Sequence, residues 1–277
     1  MKSKTKIKDL GWGTKPKKGL VLRGDLKFQD GATYSGALKS YKKQIPHGYG
    51  IFFFPEHGKT ETIDGLDIST IKYYSGNFKN GKKEGGGKFF FNGHYSYSGQ
   101  WKNDKFHGKG VFKKWGSDEK FEGYFKNDLR FNGTWTITKN LKYIGKFKNN
   151  LPHGKGKLFE ENNIYTGNFK EGNKHGYGIS ISKGKSKEYY KGQWKNNKIS
   201  GKGIFDFGDG GMYIGNFLNG ERHGKGTLIE RKGKKINSSF SGNWKNDLRD
   251  GIYIFKDKKG KKRKELWKED NFVKIIN

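Results

Sequence analysis

A six-residue pattern, aromatic-x-Gly-x-aromatic-Lys, recurs nine times in this 277-residue chain and leaves few folds open to it. Copies begin at Tyr34, Tyr74, Tyr97, Phe121, Tyr143, Tyr165, Tyr190, Tyr213 and Phe240. Glycine stands two residues on, at Gly36, Gly76, Gly99, Gly123, Gly145, Gly167, Gly192, Gly215 and Gly242. Four residues on come Leu38, Phe78, Trp101, Phe125, Phe147, Phe169, Trp194, Phe217 and Trp244. Lysine follows in every copy but the one carrying Leu218. A second element, His-Gly-x-Gly, sits at a fixed offset: whole at His47, His107, His153, His175 and His223, without the histidine at Glu84 and Ser200, and degraded at Phe131–Thr134 and Asp250–Tyr253.

Within Tyr-x-Gly-x-Trp the rings and the glycine alternate with other residues, so they share one face of a strand. Turn residues follow, as in Asn80-Gly81 and Asn219-Gly220. A second short strand comes next, such as Val111–Lys114, then a second turn, such as Asn92-Gly93 or Asp209-Gly210. Strand, turn, strand, turn predicts a β-meander. The glycines have a packing reason: strands lie about 4.8 Å apart, and a residue without Cβ lets a neighbouring ring settle on backbone. One hairpin cannot bury its own rings, so stability should spread along the array from neighbour to neighbour. Nine hairpins of two strands predict a rod or trough about 85–90 Å long.

Composition agrees. The hydrophobic fraction is 31%, low for a packed α/β domain, while the aromatic fraction of 16% and 44 glycines do not describe a disordered chain. No cysteine is present, which excludes a disulfide framework, a thiolate zinc site and a thiol nucleophile. Met1–Leu10 alternates lysine with other residues and has no apolar stretch of the secretory-signal kind. The longest apolar runs, Ile51–Phe54 and Phe89–Phe91, are far too short to span a bilayer.

The stretch Tyr97-Ser-Gly-Gln-Trp-Lys-Asn-Asp-Lys-Phe-His-Gly-Lys-Gly110 resembles the MORN repeat, and the resemblance covers roughly residues 24–255. It implies an all-β fold: an elongated, single-layer, twisted antiparallel β-meander of tandem hairpins, solenoid-like. Tyr74, Gly76, Phe78, Tyr97, Gly99, Trp101, Tyr143, Gly145, Phe147, Tyr165, Gly167, Phe169, Tyr190, Gly192 and Trp194 are then structural residues of the repeat. Two copies depart from the pattern: the fourth has Asn132 and Thr134 where glycines belong, and the ninth has Ile252-Tyr253. Family members include scaffolds of radial spokes and other cytoskeletal assemblies, membrane tethers, and arrays appended to catalytic domains.

The domain reading is a basic segment over 1–19, an array over 20–255 that opens with a half-repeat at Leu20–Phe28, and a basic connector with a C-terminal cap over 256–277. The connector is Lys256–Lys264, and the cap, Lys264–Ile276, is expected as a strand or short helix. Two insertions interrupt the array, around Ser40–Pro46 and at Pro55–Lys72. The second reads either as an unconstrained loop or as a partner contact.

Five histidines share one repeat position, which spaces them about 10 Å apart. That is too wide for a shared metal and points to a turn-stabilising role. Gly85–Gly87 lacks the Gly-Lys-Ser/Thr and helix of a phosphate loop, and the paired carboxylates Glu160/Glu161 and Asp206/Asp209 have no aligned nucleophile or base. The sequence therefore predicts no catalytic residue, no metal and no cofactor.

Charge is the functional clue: 58 Lys+Arg against 27 Asp+Glu give a net +31. Such a field attracts polyanions. Acidic protein tails of the tubulin kind and anionic lipid headgroups rank first. Nucleic acid ranks last, because the rings that could stack on bases are committed to the ladder. The candidate partner-binding residues are the lysines after the second ring, Lys79, Lys102, Lys126, Lys148, Lys170, Lys195 and Lys245, on the face opposite the rings. The aromatic groove is the other candidate face, and the sequence leaves both open. With the family resemblance, the leading reading is a cytoplasmic scaffold of a cytoskeletal assembly, with the ciliary axoneme or its radial spokes as the expected setting. The alternative is peripheral binding to anionic phospholipid.

Overall fold

The computed structural model describes residues 22–40, 43–54, 62–63, 66–67, 72–91, 94–185, 187–208, 210–233 and 235–276. The basic segment 1–19 and most of the Pro55–Lys72 insertion lie outside the described residues. All regular structure among the described residues is β-strand, and the chain divides into two compact units, Met1–Leu129 and Arg130–Asn277.

In the first unit the strands are β1 (Leu22–Lys27), β2 (Thr33–Ser40), β3 (Ile45–Phe53), a short separate hairpin of β4 (Thr62–Ile63) and β5 (Leu66–Asp67), then β6 (Tyr73–Lys79), β7 (Lys82–Phe91), β8 (Tyr95–Lys102), β9 (Lys105–Lys114) and β10 (Lys120–Lys126). Apart from the β4–β5 hairpin, each pairs antiparallel with the next. The second unit continues the plan. It comprises β11 (Leu129–Thr138), β12 (Leu141–Lys148), β13 (Leu151–Phe159), β14 (Asn163–Lys170), β15 (Asn173–Ser182), β16 (Tyr189–Lys195), β17 (Lys198–Asp206), β18 (Gly211–Leu218), β19 (Glu221–Lys232), β20 (Lys235–Lys245), the two-residue β21 (Leu248–Arg249), β22 (Gly251–Asp257), β23 (Lys262–Lys268) and β24 (Asn271–Ile276). These too form an antiparallel meander, so the all-β hairpin fold expected from the repeat is the fold of the protein.

The turns explain the Asn, Asp and Gly that follow each lysine. Both turn residues take positive φ, for example Asn103 at 50° and Asp104 at 66°, or Asn219 at 53° and Gly220 at 107°. This is the type I′ turn, whose twist matches that of paired strands and which Asn, Asp and Gly adopt at least cost. The two glycines of His-Gly-x-Gly do different work. Gly108, at φ 61°, allows the bulge where the register slips between Gly99 and Trp101. Gly110 lies in the core, pairs with Gly99, and carries the Tyr97 ring on its backbone. A Cβ placed on Gly99 would stand 2.5 Å from the Tyr97 hydroxyl and 2.5 Å from the Gly110 Cα.

The core is this ladder. Tyr74, Tyr97, Tyr143, Tyr165 and Tyr213 are fully buried, and each donates its hydroxyl hydrogen to the carbonyl three residues on, as Tyr97 does to Gln100 at 2.8 Å. Every such ring meets two others edge-on: Tyr165 packs on Phe169 of its own hairpin at 5.1 Å and on Trp194 of the next at 5.0 Å. T-shaped pairs at such spacing add about 0.5–1.5 kcal/mol each beyond burial.

Three expectations need correction. In the fourth copy glycine is not missing from the core: Gly133 pairs with Gly145. It comes five residues after Asp128, whereas Gly110 comes six after Asp104, and β11 has no left-handed residue. The hairpin has lost its bulge residue, not its core glycine. In the ninth copy Tyr253 is no defect. The copy starts with Phe240, which has no hydroxyl, and Tyr253 supplies one from the opposite strand by bonding the Asn243 carbonyl at 2.5 Å with its ring over Gly242. Finally, Lys256–Lys264 is not only a connector. Lys256 lies in β22 and Lys262–Lys264 open β23, where Arg263, Glu265 and Trp267 take the Tyr, Gly and Trp places of a tenth, degenerate hairpin. Its turn, Glu269-Asp270, has φ values of 49° and 68°. Glu265, 2% exposed, bonds Arg263 at 2.7 Å and Trp267 at 3.0 Å, so a buried carboxylate bound on both oxygens replaces the glycine.

Candidate functional site

Alternation along the strands divides the side chains between two faces. One carries the ladder, and the other carries the residues between its members.

On the ladder face lies a row of cations that sequence reasoning missed. They occupy the second residue of the second strand in several hairpins: Lys83, Lys174, Arg222 and Arg249. Each caps rings, with Arg222 4.2 Å from the Trp244 centroid, Arg249 3.5 Å from that of Trp267, and Lys174 5.4 Å from that of Tyr165. Each also meets a carboxylate: Lys83 with Asp104 at 3.9 Å, Lys174 with Glu160 at 2.9 Å, Arg222 with Asp247 at 2.9 Å and Arg249 with Asp270 at 2.6 Å. Burial drives the Lys83 ammonium below the usual lysine range, against the pull of Asp104. At Asp270 burial opposes ionisation, but the hydrogen bonds and charge of Arg249 outweigh it and hold the carboxyl below its usual range. The signal was available in Lys174-His175 and Arg222-His223, a cation just before the histidine.

The same carboxylates and amides stitch successive hairpins. Asp104 Oδ1 accepts the Lys83 N–H at 2.8 Å, Asp128 that of Phe106 at 2.8 Å, Asn197 that of Lys174 at 2.8 Å, and Asp247 that of Arg222 at 2.9 Å. Where the earlier residue is Pro46 or Pro152, no N–H exists to be capped, and the next turn carries Gly81 or Gly172 instead, donating to the proline carbonyl at 2.8 or 2.9 Å. One histidine, His47, and the glutamate in a histidine place, Glu84, join this stitching. His47 Nδ1 accepts the Asn80 N–H at 3.3 Å, and Glu84, in the histidine place, accepts that of Asn103 at 3.0 Å. The Nδ1 atoms of His107, His153, His175 and His223 are buried without a hydrogen-bond partner.

Opposite the ladder, Lys79, Lys102, Lys126, Lys148, Lys170, Lys195 and Lys245 are all exposed, each just before a turn. No carboxylate among the described residues pairs with any of them. In the second unit they are joined on this face by Lys155, Lys191, Lys202, Lys225 and Lys264, also exposed. Acids here are few: Asp206, bound to Arg231 at 3.3 Å, and Glu221 at a turn. Exposed aliphatics stand among the lysines, namely Ile144, Ile214, Ile252 and Ile254. Within each unit the lysines chosen from sequence therefore share one surface, Lys79, Lys102 and Lys126 in the first and Lys148, Lys170, Lys195 and Lys245 in the second, with that unit's ladder residues behind them.

Among the described residues no three His, Asp or Glu side chains are placed to hold a metal ion, and no helix is long and apolar enough to cross a membrane. Fold and faces together define a tandem β-hairpin repeat protein, of the kind that offers a binding or scaffolding surface. The model of the MORN repeat family matches residues 74–95, 97–116, 143–160, 165–184, 190–212, 213–233 and 240–252. The chain belongs to that family. The matches pass over the copies at Tyr34 and Phe121: the first is followed by the long insertion, and the fourth lacks its bulge residue. No curated protein matches the chain.

Proposed function

We propose that the chain is a non-catalytic scaffold that holds an acidic protein partner on its lysine-bearing face, within a cytoskeletal assembly such as the ciliary axoneme or its radial spokes. One observation carries the reading: the segregation of charge between faces. Ladder-face cations are paired with carboxylates and seated on rings, so they serve the fold. On the opposite face Lys120 pairs with Glu122 at 2.8 Å and Arg231 with Asp206 at 3.3 Å, but the seven lysines before the turns pair with no carboxylate among the described residues, which suits a polyanion engaged at many weak points. Acidic tails on a microtubule surface are such a partner. Co-sedimentation of the full chain with microtubules, reduced by salt and by Lys148→Glu, Lys170→Glu and Lys195→Glu together, is the expected result. Failure to pellet in low salt would sink the reading.

A second reading is peripheral binding to anionic phospholipid. It draws on Ile144, Ile214, Ile252 and Ile254, which give the lysine face apolar groups to insert between headgroups. Vesicles of phosphatidylserine that bind the chain while microtubules do not would favour it.

A further inference from the structure

On the lysine face of the second unit, lysines and asparagines alternate along one side of a glycine seam. Gly192, Gly203, Gly215, Gly226 and Gly242 pair in register across successive strands. Seen from the lysine face, this seam is the floor of a trough. Lys202, Asn216, Lys225 and Asn243 form one wall, while Lys191, Ile204, Ile214 and Thr227 line the other. Two shallow grooves of about 390 and 620 Å³ lie along it, both bordered by Lys225.

The walls are two residues apart on each strand, about 6.8 Å. An α-helix with its side chains is about 10–12 Å wide and would ride above the floor, whereas an extended chain enters. Lys202 and Lys225 stand on β17 and β19, as Asn216 and Asn243 do on β18 and β20, so the two lysines, like the two asparagines, are two strands or about 9.6 Å apart. A polyproline-II chain returns to the same side every third residue, after about 9.3 Å. A β-strand puts every third residue on the wrong side, and a helical heptad advances about 10.5 Å. Polyproline II also leaves its own carbonyls unbonded. Asn216 spends one amide hydrogen on the Lys225 carbonyl at 3.0 Å and keeps a second to donate.

We infer that the partner segment held here is an acidic chain in polyproline-II conformation, laid across the strands of the second unit with a carboxylate at every third residue. The inference rests on the acidic-partner reading above. Lys202 and Lys225 take successive carboxylates, the asparagines take backbone carbonyls, and the residues between lie against Ile204 and Ile214.

The test is fluorescence anisotropy of the full chain at low salt with three synthetic peptides of equal charge. One has six Glu-Pro-Pro triplets, one has the same residues with the glutamates in a single block, and one is helical with glutamate once per heptad. The triplet peptide should bind about tenfold tighter than either control. Lys202→Glu with Lys225→Glu should remove that preference while leaving the melting midpoint unchanged. Equal binding of triplet and block peptides, or tighter binding of the helical one, overturns this inference and leaves the acidic-partner reading standing. No binding of any of the three overturns both.

Discussion

The two faces of the sheet are built from alternate residues of the same strands, yet they treat charge in opposite ways. On the ladder face Arg222 lies between Trp244 and Asp247, and Arg249 between Trp267 and Asp270. On the other face Lys195, Lys202 and Lys225 meet no carboxylate among the described residues. The first arrangement spends its cations on holding hairpins together, while the second leaves them to the surroundings. A family signature built on rings and glycines therefore reports the first face and is silent about the second.

The contrast can be broken from the ladder side first. Gly215→Ala should have the largest effect, because its Cβ would stand 2.5 Å from the Tyr213 hydroxyl and 2.6 Å from the Gly226 Cα. Overpacking of this kind costs about 1–3 kcal/mol, and calorimetry should show the midpoint falling by several degrees. Next comes alkaline pH. Burial raises Tyr143, Tyr165 and Tyr213 to about 12, from an ordinary 10.0. Since the folded values lie above the unfolded one, the stabilisation is complete below pH 10.0 and is lost as pH climbs toward 12. Ultraviolet titration should find these tyrosines ionising together with loss of β-sheet circular dichroism; ionisation with the sheet intact would mean that the rings are not sealed.

Smaller changes sharpen the comparison among hairpins. Tyr253→Phe should cost about 1 kcal/mol, through loss of the bond to the Asn243 carbonyl. Denaturant melts should give Tyr213→Phe, which loses its bond to Asn216, a similar value. A null effect at Tyr253 would show that its ring alone fills the ninth copy. Asp270 gives the acid counterpart. Its folded value lies below the ordinary one, so its contribution holds above the ordinary carboxylate range and is lost as pH falls. Asp270→Asn should lower stability slightly at neutrality, and its difference from the parent chain should shrink as pH falls below the ordinary carboxylate range.

Much of this was legible in the sequence. Strict alternation placed Tyr97, Gly99 and Trp101 on one face, and Asn-Asp and Asn-Gly marked the turns. What was hidden depends on substitution by a different chemistry. Glu265 stands where glycine belongs and Arg263 where tyrosine belongs, so no pattern of rings reveals the tenth hairpin. Tyr253 supplies a hydroxyl from across the strand pair, a relation that spacing along one strand cannot show. The pairing of Pro152 with Gly172, and of Lys174 with Asn197, joins residues about twenty apart and becomes visible only once the register is known. The lysines were found because they repeat, but their lack of carboxylate partners needed the structure.

The central claim is that the ladder face makes the fold and the lysine face makes the contact. Its most direct test is one variant, Lys148→Glu, Lys170→Glu, Lys195→Glu and Lys245→Glu combined, measured for melting midpoint and for microtubule pelleting in the same buffer. The account predicts a midpoint within the error of the parent chain and pelleting abolished. A large fall in the midpoint, or undiminished pelleting by a folded variant, would contradict it.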